Sequence, residues 1–448
     1  MLKSTIFREY DIRGIANSEL LDDGVTELGK AIGTLLQRRN SRKITLARDC
    51  RLSSDRLRNA LISGLKSTGC DVTDVGVVPT PLLYYSVFHF GAGGGIMITG
   101  SHNPSEYNGF KVVSGNSTIH GEDIRQLRAM IDSQDFIEGQ GSETMADVIT
   151  PYVEEISSQF VFDRRIKVVV DAGNGTGGPA FERILENLNV DATTLFFDMD
   201  GRFPNHHPDP TVPANLDQLV AAVKEKGADL GIAFDGDADR IGAVDEKGTV
   251  IYGDQLMIVY SREILSRKPG ATVIGEVKCS QQLYDDIRDR GGNGIMWKTG
   301  HSLIKAKMKE TGAELAGEMS GHMFFADRYF GFDDALYAAC RLIEIVSKSG
   351  KPLSAQLAGL AKTVTTPEIR VDCADELKFR VVSRVTEHFK EIYDVTDVDG
   401  ARINFPAGWG LVRASNTQPV LVLRFEAETQ KLLDGYRKEV EDAVQAAR

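Results

Sequence analysis

The sequence has few cysteines and no long apolar run. Its five cysteines are scattered, and none of them forms a Cys-x-x-Cys pair. This pattern argues against a disulfide framework or a structural zinc site, and it favours a reducing compartment. No stretch approaches the ~18 apolar residues of a membrane-spanning helix, and the first ten residues contain no apolar signal-peptide core. We therefore expect a cytoplasmic protein without a membrane partner.

Positive charge is also scarce. Lys and Arg number 52 against 64 Asp and Glu, which leaves a formal net charge of −12. Such a balance disfavours nucleic acid as a partner, although a phosphorylated small molecule can still bind where Lys and Arg are concentrated. The hydrophobic fraction of 42% and the charged fraction of 26% are ordinary for a soluble globular protein. A length of 448 residues suggests about three domains, with two or four also compatible.

Strands and helices alternate through most of the chain, which predicts mostly parallel sheets with helices on their faces. Three predicted strands, Ile96–Thr99, Leu230–Phe234 and Glu314–Ala316, each end in a polar loop. Ligands gather at the carboxyl ends of strands in such sheets, so these loops are candidate sites. After about residue 364 the pattern changes to short strands, an Asp399-Gly400 turn and two helices. The predicted fold is three related mixed α/β (βαβ-type) domains plus a C-terminal α+β domain, with boundaries at 1–146, 147–249, 250–362 and 363–448.

The first polar loop is Thr99-Gly100-Ser101-His102-Asn103-Pro104. One interpretation is a simple turn in which Ser101 and Asn103 cap backbone groups. The other makes Ser101 a nucleophile or a phosphoryl carrier. The loop is not the Gly-x-Ser-x-Gly elbow of hydrolases, and His102, adjacent in sequence, is not expected to fold back as a base for Ser101.

The second loop, Asp235-Gly236-Asp237-Ala238-Asp239-Arg240, alternates carboxylates so that three can converge on one hard cation. A calcium EF-hand is the obvious rival. It requires glycine where this loop has Arg240, and helices where this loop is flanked by predicted strands. A magnesium site is favoured over a solvated acidic turn, especially if a phosphate oxygen completes the coordination shell.

Two further polar loops are weaker signals. Gly317-Glu318-Met319-Ser320-Gly321-His322 combines a carboxylate, a hydroxyl and an imidazole that could bind vicinal sugar hydroxyls. Arg413-Ala414-Ser415-Asn416-Thr417-Gln418-Pro419 combines a cation with small hydrogen-bonding groups that could surround a phosphate dianion. Taken singly, each is equally compatible with a polar turn.

A glycine-rich segment, Gly173-Asn174-Gly175-Thr176-Gly177-Gly178, follows a predicted strand and matches the Gly-x-Gly-x-x-Gly dinucleotide fingerprint. Pro179 follows at once, and no second phosphate-binding loop supports this interpretation. Nicotinamide binding is therefore kept only as a minor alternative. The chain contains no Gly-x4-Gly-Lys-Ser/Thr motif, so a P-loop NTPase is not indicated.

Together with Tyr10-Asp11-Ile12-Arg13-Gly14, the four polar loops resemble, in order and spacing, the motifs of the α-D-phosphohexomutase family. The resemblance covers the whole chain and is greatest to the bacterial phosphomannomutase/phosphoglucomutase branch. It implies three related α/β domains and a C-terminal domain around one central cleft, in agreement with the predicted fold.

The resemblance also implies roles for individual residues. Ser101 would carry the phosphoryl group, and Mg²⁺ would be held by Asp235, Asp237, Asp239 and a phosphoserine oxygen. Arg13, Lys111 and His322 are the candidates for proton transfer, with Lys111 favoured because neighbouring cations lower a lysine pKa. The remaining implied substrate-binding residues, together with His322, are Tyr10, Arg240, Lys278, His301, Glu318, Ser320, Arg413, Ser415, Asn416 and Thr417.

The implied activity is a phosphohexomutase, an isomerase-class intramolecular phosphotransferase. It would interconvert the 1- and 6-phosphates of mannose and/or glucose through phospho-Ser101, with hexose 1,6-bisphosphate as intermediate and activator. A phosphoglucosamine mutase and a non-catalytic sugar-phosphate binding protein are the alternatives. The expected partners are small phosphosugars, and the expected state is a monomer or weak dimer.

Overall fold

The computed structural model describes residues 2–115, 117–416 and 418–448. The chain divides into two compact units. The first comprises Met1–Tyr260 and Ser320–Gln356, and the second comprises Ser261–Met319 and Leu357–Arg448. Within the described ranges, no helix combines the length and the apolar character needed to cross a membrane.

The first unit begins with a seven-stranded sheet in the order β1-β5-β4-β2-β3-β7, with β6 beside β5. A 3-10 turn at Ser4–Ile6 precedes it. Its elements are β1 (Ile12–Ile15), α1 (Asp22–Arg38), β2 (Lys43–Arg48), α2 (Ser54–Ser67), β3 (Asp71–Val77), α3 (Thr80–His89), β4 (Gly94–Ile98), β5 (Tyr107–Ser114), β6 (Ser117–Thr118), α4 (Glu122–Ser133) and β7 (Glu143–Met145). Strand β2 is parallel to β3 and β4, whereas β4 and β5 are antiparallel.

The spacing of the leucines in α2 explains why this segment forms a helix. Leu57, Leu61 and Leu65 recur every four residues, and all three side chains are fully buried in the core of this sheet. Helix α1 packs closely on α2, because Gly29 and Gly64 have no side chain to hold the two backbones apart. This packing supports β2 and β4, the strands that lead toward Ser101.

A second sheet follows in the order β12-β11-β10-β8-β9. Its elements are α5 (Ile149–Ser158), β8 (Ile166–Asp171), α6 (Gly177–Asn187), β9 (Val190–Leu195), a 3-10 turn (Pro213–Leu216), α7 (Asp217–Lys226), β10 (Leu230–Phe234), β11 (Ile241–Asp245), β12 (Val250–Ile251) and α8 (Gly253–Arg267). Strand β8 is parallel to β9 and β10, and β10 is antiparallel to β11.

The chain continues through β13 (Thr272–Glu276), α9 (Gln281–Asp289), β14 (Asn293–Trp297), α10 (His301–Thr311), β15 (Leu315–Gly317), β16 (Met323–Phe325), α11 (Ala335–Ser349) and α12 (Leu353–Gln356). In the second unit, β13 is parallel to both β14 and β15. Strand β16 and the two helices after it belong to the first unit. The loop that leads from β15 toward β16 contains Glu318, Ser320 and His322.

The C-terminal sheet is antiparallel, in the order β17-β22-β21-β20-β19 with β18 beside β22. Its elements are β17 (Val364–Thr365), β18 (Ile369–Asp372), α13 (Asp375–Lys390), β19 (Asp394–Thr396), β20 (Ala401–Phe405), β21 (Gly408–Ala414), β22 (Val420–Ala427) and α14 (Gln430–Ala447). The predicted Asp399-Gly400 turn joins β19 to β20, and Gly400 has a φ of 92° that suits glycine.

The predicted fold class of mixed α/β domains is confirmed. Each of the first three sheets contains parallel pairs, and the pairs β4–β5 and β10–β11 are antiparallel. The connecting loops span only residues 99–106 and 235–240, whereas a parallel crossover needs about a dozen residues or more. The two loops of greatest chemical interest therefore lie at the tips of antiparallel strand pairs. The domain boundaries stay a prediction.

Candidate active site

Ser101 lies in the loop between β4 and β5 with a left-handed φ of 48°, an unusual conformation for a residue other than glycine. Its side chain is buried, and Oγ donates a hydrogen bond to Asp235 Oδ2 at 2.8 Å. The same oxygen lies 3.0 Å from His102 Nδ1. The His102 ring therefore does fold back to within hydrogen-bond distance of Ser101, contrary to expectation.

The three aspartates of the second loop are completely buried. Asp235, Asp237 and Asp239 each offer a carboxylate oxygen within 4.8 Å of the others. Asp235 Oδ1 accepts the backbone N–H groups of Asp239 and Arg240, both at 3.1 Å, so the loop folds around this carboxylate. Burial and the charges of Asp239 and Asp237 raise the pKa of Asp235 well above its ordinary value.

Lys111, on β5, is the cation that faces these carboxylates. Its Nζ lies 3.0 Å from Asp237 Oδ2 and also donates to Asp239 Oδ2. Burial disfavours the ammonium form, but Asp237 and Asp239 outweigh it and raise the pKa of Lys111 well above its ordinary value. We expected neighbouring cations to lower this pKa. The shift has the opposite sign because carboxylates are the nearest groups.

The donor set fits a hard divalent cation. Asp237 Oδ1 and Asp239 Oδ1 are buried without a hydrogen-bond partner among the described residues. Both residues belong to a cluster of three carboxylates beside the Ser101 hydroxyl, and oxygen is the ligand atom that Mg²⁺ and Ca²⁺ prefer. The buried carboxylates could therefore hold a metal ion, with Asp235, Asp237 and Asp239 as ligands.

Arg240 and His322 are held side by side. Arg240 Nε donates to His322 Nε2 at 3.0 Å, and an antiparallel backbone bridge joins the two residues. On the other side of the ring, His322 Nδ1 lies 3.1 Å from Asp333 Oδ2. Since Arg240 can only donate, His322 Nε2 is the acceptor of that bond, and a neutral ring then carries its proton on Nδ1.

Several basic side chains lie close together around His102 in the first unit. Besides burial, the groups that lower the pKa of His102 are Arg240, Arg13, His322 and Lys111, so all four lie within electrostatic reach of it. They come from four different segments of the sequence. The local concentration of cations that a phosphorylated ligand needs is therefore present in a chain of net charge −12.

A second group of predicted residues collects in the second unit. Lys278 follows β13 and is buried, with Nζ 3.3 Å from Glu368 Oε2 and 3.6 Å from Glu276 Oε1. Burial opposes its charge, but the two carboxylates raise the pKa of Lys278. Arg413 and Glu318 also act on this pKa, which places both of them near Lys278.

Glu318 is buried and fixed by the start of α10. Its Oε1 accepts the backbone N–H of Gly300 at 2.6 Å, directly before His301. His301, half-buried, is therefore tied through the backbone to the loop that contains Glu318 and Ser320. The predicted sugar-binding residues Glu318 and His301 are thus neighbours, although 17 positions apart by their numbering.

Arg413, at the end of β21, is held by Asp399. Asp399 Oδ2 accepts from Arg413 Nε at 3.0 Å and from the backbone N–H of Thr299 at 3.0 Å. In the loop that follows, Ser415 Oγ accepts the backbone N–H of Gln418 at 3.1 Å. Asn416 is half-buried in that loop, and the predicted ligand Thr417 lies outside the described residues.

Two arginines outside the predicted motifs donate hydrogen bonds to the backbone around Lys278. Arg402 donates to the carbonyl oxygens of Val277 and Cys279 at 2.5 and 2.8 Å, and Arg424 donates to that of Lys278. Both arginines come from the C-terminal sheet and are buried. The loop that contains Lys278 and the sheet that contains Arg413 are therefore bonded to each other.

Comparison with known proteins agrees with this arrangement. Four models of phosphoglucomutase/phosphomannomutase match the chain in succession: alpha/beta/alpha domains I, II and III at residues 4–138, 150–248 and 252–364, and the C-terminal domain at residues 368–443. The chain belongs to the phosphoglucomutase/phosphomannomutase family. It is accordingly an isomerase-class enzyme, a hexose phosphate mutase.

Relatives in this family span nearly the whole chain. A phosphomannomutase/phosphoglucomutase of Pseudomonas aeruginosa is 46% identical over 97% of this chain and 94% of its own length. A solved phosphoglucomutase/phosphomannomutase family protein of Burkholderia thailandensis is 43% identical, with a TM-score of 0.94 over 100% of this chain and 98% of its own. An N-acetylphosphoglucosamine mutase of Aspergillus fumigatus shares only the fold, at 16% identity and a TM-score of 0.66 over 99% of this chain and 97% of its own.

In this family member the glycine-rich segment after β8 has a packing role. Thr176 N–H donates to the carbonyl of Gly236 at 3.0 Å. A Cβ on Gly175 would lie 2.6 Å from that same oxygen. The segment therefore supports the aspartate loop through backbone contacts, and the amides of Asn174, Gly175 and Thr176 donate to protein carbonyls. The dinucleotide alternative is not supported, and the EF-hand is excluded because β10 and β11 flank the aspartates.

Two residues that contact the site were missed by sequence reasoning. Thr80 begins α3 and binds Asp237 twice, through Oγ1 to Oδ2 at 2.5 Å and through its N–H to the carbonyl oxygen at 2.9 Å. Asp333 Oδ2 lies 3.1 Å from His322 Nδ1. Neither Thr80 nor Asp333 lies in a recognisable motif.

Proposed function

We propose that this protein interconverts the 1- and 6-phosphates of glucose and/or mannose through phospho-Ser101 and a hexose 1,6-bisphosphate. The observation that carries the proposal is the 2.8 Å hydrogen bond from Ser101 Oγ to Asp235 Oδ2, inside a buried group of three carboxylates. A hydroxyl in that position can carry a phosphoryl group beside a bound cation. The names of the relatives support glucose and mannose over glucosamine.

The proposed cation is Mg²⁺, held by Asp235, Asp237, Asp239 and an oxygen of phospho-Ser101. When bound, Mg²⁺ would neutralise part of the charge that the transferring phosphoryl group carries. The carboxylate oxygens Asp237 Oδ1 and Asp239 Oδ1, which accept no hydrogen bond from the described residues, support this assignment.

In the proposed transfer, a free sugar hydroxyl attacks the phosphorus of phospho-Ser101. The new bond from the sugar oxygen to phosphorus forms as the bond from Ser101 Oγ to phosphorus breaks, and the hydroxyl proton passes to a base. Arg13, Lys111 and His322 are the candidates for proton transfer. Arg240 would stabilise the charge that develops on the equatorial oxygens.

The remaining residues would bind the sugar and its second phosphate. Glu318 and Ser320 would hold hydroxyls near the middle of the ring, which are available in either orientation of the intermediate. Arg413, Ser415, Asn416 and Thr417 would bind the phosphate that is not transferred, with Tyr10, Lys278 and His301 as further contacts. The bisphosphate would turn end for end and return its other phosphate to Ser101.

The test is the Ser101→Ala variant. We expect it to lose turnover of mannose 1-phosphate and glucose 1-phosphate while keeping wild-type thermal unfolding. Intact-mass spectrometry should show an adduct of about 80 Da on the wild-type protein that is absent from Ser101→Ala. Near-normal turnover by Ser101→Ala would contradict the proposal. Binding of sugar phosphates by a wild-type protein without turnover would identify a non-catalytic binding protein instead.

Substrate choice needs a separate comparison. Measuring kcat/KM for glucose 1-phosphate, mannose 1-phosphate and glucosamine 1-phosphate would rank the three sugars directly. We propose that glucosamine 1-phosphate is the poorest of them. We also propose a cytoplasmic location and a monomeric or weakly dimeric state, and size-exclusion chromatography with light scattering tests the latter.

A further inference from the structure

A buried arginine outside the recognised motifs holds the backbone of the Ser101 loop. Arg51 lies between β2 and α2, and its side chain is 0% exposed. Its guanidinium donates to four backbone carbonyls of the loop: Ser101 at 2.7 Å, Asn103 at 2.6 Å, Pro104 at 2.5 Å and Tyr107 at 3.0 Å. One side chain therefore ties together most of the segment from the serine to the start of β5.

Asp49 fixes the position of this arginine. Its Oδ2 accepts from Arg51 Nε at 3.1 Å and from the backbone N–H of Gly100 at 3.0 Å. Its Oδ1 accepts from Arg51 N–H at 3.0 Å and from Ser54 Oγ at 2.5 Å. The carboxylate thus joins the arginine, the start of α2 and the residue before Ser101 in one network of buried hydrogen bonds.

Gly100 makes the close approach possible. A Cβ at this position would lie 2.4 Å from both Cζ and Nε of Arg51, closer than any real contact. The next residue, Ser101, has the left-handed φ of 48°. A strained conformation of this kind persists only where the surrounding structure holds it, and the four carbonyl contacts of Arg51 do so here.

We infer that Arg51 is a positioning residue for phosphoryl transfer: it holds Ser101 in the left-handed conformation that directs Oγ toward Asp235. The inference rests on the proposed role of Ser101 as phosphoryl carrier. Arg51 acts through the loop backbone and is not itself a catalytic group. A displacement of about 1 Å at a reacting atom is enough to slow a reaction about 100-fold, so loosening this loop should reduce turnover.

The chain offers a matched control in Arg341. This residue is also fully buried, and it also pairs with an aspartate and a backbone carbonyl, both of Asp327. Its described hydrogen bonds go to Asp327 and to the hydroxyl of Tyr337, and none of them joins the Ser101 loop or Asp333. Arg51→Lys and Arg341→Lys therefore remove the same chemical group from comparable surroundings.

The experiment measures kcat, KM and thermal unfolding for both variants. We expect Arg51→Lys to lower kcat at least tenfold with KM changed less than about threefold, because the proposed sugar and phosphate contacts are elsewhere. Arg341→Lys should lose stability to a similar extent but keep kcat within about twofold. In Arg51→Ala, guanidinium at millimolar concentration should restore part of kcat, and the effect should saturate. The same concentration of urea should not restore kcat. A purely structural role would not produce this rescue.

An Arg51→Lys variant with kcat within twofold of wild type would overturn the inference, as would equal kcat losses in the two lysine variants. If Arg51→Lys does not fold, Gly100→Ala is the second variant, since its Cβ displaces the guanidinium while every charge is kept. A folded Gly100→Ala with unchanged kcat would also overturn the inference. If Ser101→Ala is inactive and Arg51→Lys is fully active, this inference is rejected and the proposed function stands. If Ser101→Ala is active, the proposed function itself is rejected.

Discussion

Ser101 Oγ and Asp235 Oδ2 are joined by a 2.8 Å hydrogen bond across 134 positions of sequence. Each residue lies in a loop at the tip of an antiparallel strand pair, β4–β5 and β10–β11. The candidate nucleophile and the candidate metal ligands therefore come from two different sheets. A substitution in either loop should affect the other, and metal binding and phosphoryl transfer should be coupled.

The first prediction concerns metal binding. Mg²⁺ should raise the unfolding temperature of the wild-type protein, because a ligand at 100 times its Kd stabilises the native state by about 2.7 kcal/mol. In Asp237→Asn this stabilisation should shrink, and the Mg²⁺ concentration for half-maximal activity should rise at least tenfold. Asp245→Asn, at the other end of β11, is the control and should keep the wild-type response. An unchanged Mg²⁺ response in Asp237→Asn would mean that the ion binds elsewhere.

The second prediction concerns the orientation of His322. Asp333→Ala removes the carboxylate whose Oδ2 lies 3.1 Å from His322 Nδ1, which should leave the ring freer to rotate. We expect kcat to fall about tenfold or more with a smaller change in KM. Asp333→Asn keeps an acceptor oxygen and should retain more activity than Asp333→Ala. Equal activity in the two variants would show that the acceptor is not required.

The third prediction concerns pH and stability. Burial raises the pKa of Asp334 to about 6, although the hydroxyls of Tyr329 and Tyr152 donate to the carboxylate. Because the folded pKa exceeds the unfolded value of about 3.9, the stabilising contribution of Asp334 is present at low pH and is lost as pH rises through about 6. The full difference across this range is about 3 kcal/mol.

Urea unfolding of the wild type and of Asp334→Asn at pH 5 and pH 7 isolates this effect, since the other carboxylates contribute equally to both proteins. The free energy of unfolding of the wild type, relative to Asp334→Asn, should be lower at pH 7 than at pH 5. If the difference between the two proteins does not change with pH, the Asp334 carboxyl titrates at an ordinary value.

The fourth prediction concerns phosphate binding in the second unit. Arg413→Ala should raise KM for hexose phosphates by about tenfold or more, because a lost hydrogen bond to a charged group costs about 1.5–3 kcal/mol. The effect on kcat should be smaller if Arg413 binds the phosphate that is not transferred. Arg370→Ala, an exposed arginine on β18 of the same sheet, should leave KM unchanged. A normal KM in Arg413→Ala would exclude it from the phosphate site.

Much of the fold could be predicted because the signals are local. The bounds of β10 agree with the prediction residue for residue, and Leu57, Leu61 and Leu65 are buried as their spacing indicates. The candidate loops were found for the same reason, since each combines the end of an apolar strand with a short run of chemically distinctive residues. Such patterns lie within ten residues and need no knowledge of distant contacts.

Other features depend on distant contacts and could not be predicted. The pKa of Lys111 is raised because two carboxylates, more than 120 positions away, are nearer to it than any cation. Ser101 Oγ lies 3.0 Å from His102 Nδ1 while Ser101 has a left-handed φ of 48°, and Arg51, from another segment, donates to the Ser101 carbonyl.

By itself, the sequence determined the α/β and α+β architecture, the family and the residue types available for chemistry, because hydrophobic periodicity and short motifs are properties of neighbouring residues. Only the tertiary structure decided which carboxylate faces which cation, which nitrogen of His322 carries the proton and which arginine supports the serine. Those outcomes depend on distances between residues far apart in the chain, which are established only when the sheets pack.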